Sequence, residues 1–296
     1  MTLRQAGRTL LTLLALALKG LSAWWAMKLS GFQGGASGKF DGQRGLRDAQ
    51  YQTSLGARTP GSPAHDQIVA WMQAELESAG WQAEVQSASL MGHPIQNVVA
   101  RRSDQPPQII LAAHYDRRLA ADRDPDPGKR SAAVPGANDG ASGVAVLLEL
   151  ARTLPEDSPP VWLVFLDAED NGGLPVWDWL LGSRLFVAAL EQKPRAAIIL
   201  DMIGDADSNI YFEKNSDAQI AAQIWAQAAR LGYGEAFIPV PKHSLLDDHI
   251  PFIQVGIPAV DLIDFDYPYW HTTADKVSAA SLQAVGETLL AWISEQ

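Results

Sequence analysis

"PVWLVFLDAED", Pro160 to Asp170, decides the fold. Val161 to Leu166 are apolar without alternation, so a strand here presents apolar side chains to both faces and needs a packed layer on each. The run then breaks into acids: Asp167, Glu169 and Asp170. "QIILAAHYD" (Gln108–Asp116), "RAAIILDMIGD" (Arg195–Asp205) and "GIPAVDLIDF" (Gly256–Phe265) are strands of the same kind. "QNVVARR" (Gln96–Arg102) is a shorter one. Helical stretches alternate with them. "GSPAHDQIVAWMQAELESAGW" (Gly61–Trp81) carries Ser62 as N-cap, Pro63 at its first position and Gly80 as its stop. "GASGVAVLLELARTL" (Gly140–Leu154), "DAQIAAQIWAQAARLGY" (Asp217–Tyr233) and "SAASLQAVGETLLAWISEQ" (Ser278–Gln296) follow. Buried strands separated by helices predict an α/β fold, a three-layer α/β/α sandwich around a mixed, mostly parallel sheet.

The 296 residues have no cysteine, so any metal must be held by His, Asp or Glu. The formal net charge is −11, yet residues 1–30 carry Arg4, Arg8, Lys19 and Lys28 and no acid. An acidic body argues against a nucleic-acid partner and suits a substrate with a positive amino terminus. The apolar run Leu10–Leu18, with Trp24 and Trp25 beyond it, reads as a signal peptide or uncleaved membrane anchor, which would put the body outside the cytoplasm. An accessory helix packed on a cytoplasmic domain is the other reading. Residues 31–44 read as a linker, and 45–296 as one catalytic domain.

The polar residues are not scattered. Asp116, Asp167, Glu169, Asp170 and Asp201 all fall at or just beyond strand ends, the edge where open α/β sheets bind ligands. Taken alone, each piece leaves a plain reading open. Asp139 in "GANDGASG" (Gly136–Gly143) could cap a helix. The acids of "DAED" could solvate a strand end, and His271 in "YWHTTAD" (Tyr269–Asp275) could be structural. Glu169 and Asp170, being adjacent on an extended backbone, point different ways, so one can face a metal and the other a substrate.

With "AHYD" (Ala113–Asp116), "LDMIGD" (Leu200–Asp205) and "DDHIPF" (Asp247–Phe252), these pieces in this order resemble the zinc-dependent aminopeptidases of peptidase family M28, and within them the glutaminyl cyclase branch. The resemblance runs from about residue 55 to the C-terminus. It implies a zinc-exopeptidase-like fold, with Asp139, Asp170 and His271 as ligands of one catalytic zinc and Glu169 as general acid/base. Asp170 stands where many relatives have Glu. In the peptidases the residues matching His114 and Asp201 hold a second metal, so ligand identity leaves the metal count open. In the cyclases the match of Asp201 belongs to a proton-handling network.

Three features point to the cyclase. Asp247 precedes Asp248 and His249 where peptidases commonly show Ser-Asp-His, which would make Asp247 a third carboxylate beside Asp201 and Glu169. Trp270 precedes the metal histidine, as in the pocket wall of the cyclases. "WLLGSRLFV" (Trp179–Val187) resembles their segment after the acidic pair. The implied reaction converts an N-terminal glutamine of a peptide or protein to pyroglutamate and releases ammonia; a two-metal aminopeptidase is the alternative. Asp248 and His249 read as structural support for a turn and short helix. Trp177 and Trp179 read either as core or as pocket walls. Arg117, Arg118 and the loop 119–135 depart from the family pattern, and the loop reads either as a rim of the pocket mouth or as a mobile segment.

Overall fold

The computed structural model describes residues 39–296 except Ala57. The N-terminal signal or anchor segment expected for 1–30 therefore lies outside the described residues, as does the linker up to residue 38. Among the described residues, no helix is long and apolar enough to cross a membrane.

The described residues begin with two helices, α1 (Gly42–Ser54) and α2 (Pro63–Ser78), and a hairpin of β1 (Gln82–Leu90) and β2 (His93–Arg101). It continues through β3 (Ile109–His114), α3 (Ala141–Thr153), β4 (Val161–Leu166), α4 (Leu181–Ala188) and β5 (Ala196–Asp201). Then come β6 (Ile210–Phe212), α5 (Ala218–Arg230), β7 (Phe237–Pro241), α6 (His249–Gln254), β8 (Ala259–Ile263) and α7 (Ala279–Ser294). The main sheet has the order β1-β2-β4-β3-β5-β8, with β4, β3, β5 and β8 parallel and the β1–β2 ribbon antiparallel at one edge. β6 and β7 form a separate two-stranded pair.

The apolar runs are buried on both faces, as their lack of alternation requires. In β3, Ile109, Leu111 and Ala113 join the core beneath α1, α2, α3, α5 and α7, whereas Ile110 and Ala112 face the smaller core beneath α4 and α6. Ser62 caps α2 by accepting from the His65 N–H at 3.1 Å, and Gly80 follows its end at φ +83°.

The folded body starts earlier than residue 45. Asp41 caps α1, accepting from the N–H groups of Gln43 and Arg44, and Phe40 is buried. Gly42 looks like linker in the sequence but is a packing residue. A Cβ there would lie 2.3 Å from the Ala279 carbonyl oxygen, so only glycine lets α1 meet the start of α7.

Candidate active site

β4 and β5 flank β3 on opposite sides, so the connections diverge and open a crevice above the carboxyl ends of these strands. His114 ends β3 and Asp201 ends β5, while the turn after β4 carries Glu169 and Asp170. Trp270 and His271 arrive on the segment after β8, and Asp139 on the turn entering α3.

Each turn is held by residues with no direct chemistry. The Asp116 carboxylate accepts from the Glu169 N–H at 3.0 Å, the Asp170 N–H at 3.2 Å and the Asn171 amide at 3.3 Å. It thereby fixes the backbone of both adjacent acids. Gly140 has φ +97°, and a Cβ there would meet the Asp116 carbonyl oxygen at 2.7 Å, so the turn carrying Asp139 closes on β3 only with glycine. Asp275 accepts from the N–H groups of Ala137 and Asn138, and the Asn138 carboxamide accepts from the Gly204 N–H at 2.6 Å. Ala168, Met202 and His271 all have left-handed φ, near +50°, within one residue of a site side chain. Such backbone persists only where its surroundings over-determine it.

Asp139, Asp170 and His271 are buried and offer donor atoms all within 4.8 Å of one another. His271 Nε2 lies 2.8 Å from Asp170 Oδ1 and 3.8 Å from Asp139 Oδ2. Asp139 Oδ2 and Asp170 Oδ2 are buried with no hydrogen-bond partner in the protein. Leaving carboxylate oxygens so is costly, and a dication at this point would satisfy both. Two carboxylates and an imidazole, with no sulfur, match a catalytic zinc that keeps an open position. A second donor group, His114, Asp139 and Asp201, shares Asp139 with the first. His114 Nε2 stands 3.1 Å from Asp201 Oδ1 and 3.3 Å from Asp139 Oδ1, and its Nδ1 stands 3.4 Å from Asp116. The donor groups accommodate one or more zinc ions.

Glu169, Asp201 and Asp247 come together on one wall of the same crevice. Burial, with the charges of Asp170, Asp247 and Asp248, pushes Glu169 well above the usual carboxylate range. Burial raises Asp201 to about 7, with Asp247 and Asp139 adding to it against the pull of His114. Asp170 rises to about 6, again mainly through burial, with Asp139 next. Burial alone would lower the imidazolium of His271, but Asp170 and Asp139 outweigh it and raise its pKa. Without a cation, Glu169 and Asp201 therefore hold protons more readily than free carboxyls do.

A cavity of about 260 Å³ opens over these groups, lined by Glu169, Asp247, Trp179, Leu245, Phe265 and Trp270 among others. Trp270 packs on Phe265 at a centroid distance of 5.0 Å and on His271 at 4.0 Å. Trp179 is a wall of the cavity, but Trp177 stacks on His93 at 3.5 Å and takes no part in it. Larger hollows of about 360 and 450 Å³ adjoin Trp162, away from the strand ends that carry the acids. The loop 119–135 is fastened beside the site. Asp124 accepts from the N–H and hydroxyl of Thr273, at 3.0 and 2.6 Å, and the Arg123 N–H donates to the His271 carbonyl at 3.2 Å.

Asp248 and His249 differ from the expected helix support. Asp248 occupies the N-cap position of α6 without a capping hydrogen bond. Its carboxyl is instead buried and contributes to the field on Glu169. Buried His249 places Nε2 3.2 Å from Glu213 and Nδ1 3.5 Å from Asp261. With Asp247 and Asp261 it forms a third group of donors at mutual distances within 4.8 Å, behind the cavity wall. Glu213 and Asp261 escaped sequence reasoning, although an aspartate inside the apolar run "AVDLI" was a signal to be found. Burial and the neighbouring Asp247 raise Asp261 well above its usual range.

Residues 97–293 match the family model described as "Peptidase family M28". A glutaminyl-peptide cyclotransferase-like protein of Bos taurus is 31% identical over 268 residues, covering 75% of this chain and 66% of that protein, so the match spans about two thirds of its length. The solved glutaminyl cyclase of Porphyromonas gingivalis superposes with a TM-score of 0.82 at 32% identity, covering 87% of this chain and 99% of that one. A leucine aminopeptidase precursor of Bacteroides thetaiotaomicron also has a TM-score of 0.82, at 30% identity, over 88% of this chain and 99% of that one. Shared fold and a family match over most of the described body agree: this chain belongs to peptidase family M28.

Proposed function

We propose that the protein is a zinc-dependent glutaminyl-peptide cyclotransferase, which converts the N-terminal glutamine of peptides or proteins to pyroglutamate with release of ammonia. One observation carries this reading: Asp247 lines the crevice beside Glu169 and Asp201, and its charge raises the pKa of both, as suits a reaction that must move protons. The cavity, below the ~300–1,000 Å³ usual for ligand sites, suits a terminal residue rather than a length of peptide.

Asp139, Asp170 and His271 would hold the zinc. Bound there, it supplies Lewis-acid polarisation of the substrate's γ-carboxamide carbonyl. The chain's own residues do the rest. Trp270, Phe265 and Trp179 hold the glutamine side chain and exclude water that would otherwise hydrolyse the amide. Held this way, the α-amine reaches the carbonyl carbon of the side-chain carboxamide, and an intramolecular attack profits from the fixed geometry. The bond from the α-nitrogen to the carboxamide carbonyl carbon (Cδ) forms, Glu169 takes the proton released by the amine, and the bond from that carbon to the amide nitrogen breaks as Glu169 returns the proton to departing ammonia. Asp247 keeps Glu169 at an affinity suited to both transfers, since its charge helps burial hold the Glu169 pKa high, and Asp201 completes the proton-handling group.

The second reading, a two-metal aminopeptidase, is favoured by the His114–Asp139–Asp201 donor group and the likeness to the aminopeptidase precursor. A Gln-initiated peptide incubated with the purified chain separates the two. The cyclase yields an intact peptide lighter by one ammonia; the loss of whole residues would establish the peptidase instead. Metal analysis gives a second measure, with near one zinc per chain expected. The basic, apolar N-terminal segment supports a body outside the cytoplasm, secreted or membrane-anchored, and mass spectrometry of the mature N-terminus tests it.

A further inference from the structure

Arg117 and Arg118 follow "HYD" side by side, but only Arg118 reaches the site. Its side chain is 4% exposed and every arm of the guanidinium is engaged. Nη1 donates to the carbonyls of Asp170, at 2.7 Å, and Gly172, at 3.1 Å. Nε and Nη2 fork onto the two carboxylate oxygens of Asp122 at 3.1 and 2.7 Å. The guanidinium carbon lies 5.1 Å from the centre of the Trp179 ring. Asp122 Oδ1 is in turn 3.3 Å from His271 Nδ1, the ring nitrogen opposite the one that faces Asp170 and Asp139.

One rigid planar group thus touches the backbone of one donor loop, an aromatic wall of the cavity and the carboxylate behind the donor histidine. The wall and the loop are themselves in close contact, since a Cβ on Gly172 would fall 2.1 Å from the Trp179 ring. A carboxylate at Nδ1 favours the proton there, which leaves the Nε2 lone pair free for a metal. Arginine's fork imposes these directions together, whereas a lysine would supply charge without them. We infer that Arg118 is a positioning residue whose guanidinium sets the mutual placement of Asp170, Trp179 and, through Asp122, His271. This rests on the reading of Asp170 and His271 as zinc ligands.

The test compares the full chain with Arg118→Ala, Arg118→Lys and Asp122→Asn, and with Arg230→Ala, which removes an exposed arginine far in sequence from the site. Zinc is titrated against a chelator of known affinity, and KM and kcat are measured on a Gln-initiated peptide at saturating zinc. Arg118→Ala and Asp122→Asn should each weaken zinc by about tenfold or more, the usual scale for loss of a group behind a metal ligand. Arg118→Ala should also raise KM at saturating zinc, because Trp179 loses its stacking partner. Arg118→Lys should leave zinc weakened, and Arg230→Ala should match the parent. Parental zinc affinity in Asp122→Asn and folded Arg118→Ala would overturn the inference, as would full rescue by lysine. A lowered thermal midpoint with unchanged zinc affinity would also overturn it, by assigning Arg118 a purely structural role. Should Arg118→Ala not fold, Asp122→Asn at its partly exposed position decides the metal arm by itself. A parent chain that binds no zinc would sink the proposed function and this inference with it, whereas a zinc-binding parent whose variants keep its affinity would sink this inference alone.

Discussion

At the scale of single residues, the division of labour between Glu169 and Asp170 is the sharpest claim. They share one anchor, Asp116, yet Asp170 meets His271 while Glu169 faces the cavity among like charges. Glu169→Gln should therefore lower kcat by ~10²-fold or more with zinc still bound. Zinc loss in that variant would mean that the two roles are exchanged. Asp247→Asn tests the coupling. Removing its negative charge relieves repulsion on Glu169, lowers the Glu169 pKa and moves the acidic limb of the kcat/KM–pH profile to lower pH. An unmoved limb would show that Asp247 does not act on the base. Motif order singled out Asp139, Asp170, His271, Glu169, Asp201 and Asp247, and the fold brings all of them to one crevice. Asp122, Glu213 and Asp261 were not legible, because each acquires its meaning from a partner distant in the chain.

At the scale of elements, the buried strands and long helices were legible from apolar runs and caps, whereas α1, β1, β6 and β7 were not. β1 is a half-exposed edge strand with a polar sequence, and its pairing with β2 rests on a turn at Met91 and Gly92, both with positive φ. α1 begins in a stretch whose glycines mimic a linker, although one of them serves a helix crossing. Gly42→Ala should cost about 1–3 kcal/mol by overpacking that crossing. Denaturant unfolding would measure it, and kcat/KM should hold because α1 contributes nothing to the cavity. An unchanged midpoint would mean that the ends of α1 and α7 move apart freely.

At the scale of the whole molecule, the metal-free body carries a titration burden. Glu169, Asp170, Asp201, Asp248 and Asp261 all have folded-state pKa values raised, first by burial. A raised value means that the folded chain holds protons the unfolded chain would release. The stability this represents is present at low pH and is lost as pH rises through about 6 for Asp170 and about 7 for Asp201. The metal-free thermal midpoint should therefore fall between about pH 5 and 8, and saturating zinc should flatten the decline by replacing protons on its ligands. A metal-free midpoint that rises across that window would contradict the raised values.

The sequence by itself determined the layered α/β architecture, because continuous apolar runs must be covered on both faces. It also determined which strand ends carry acid. Only the tertiary structure decided which acids meet. Proximity at the crevice depends on strand order and on three turns locked by Asp116, Asn138 and Asp275, and neither can be read from local periodicity. The same holds for Arg118, whose neighbours at Asp170, Gly172 and Trp179 lie some fifty or more residues along the chain and are brought to it by the pairing of β3 with β4.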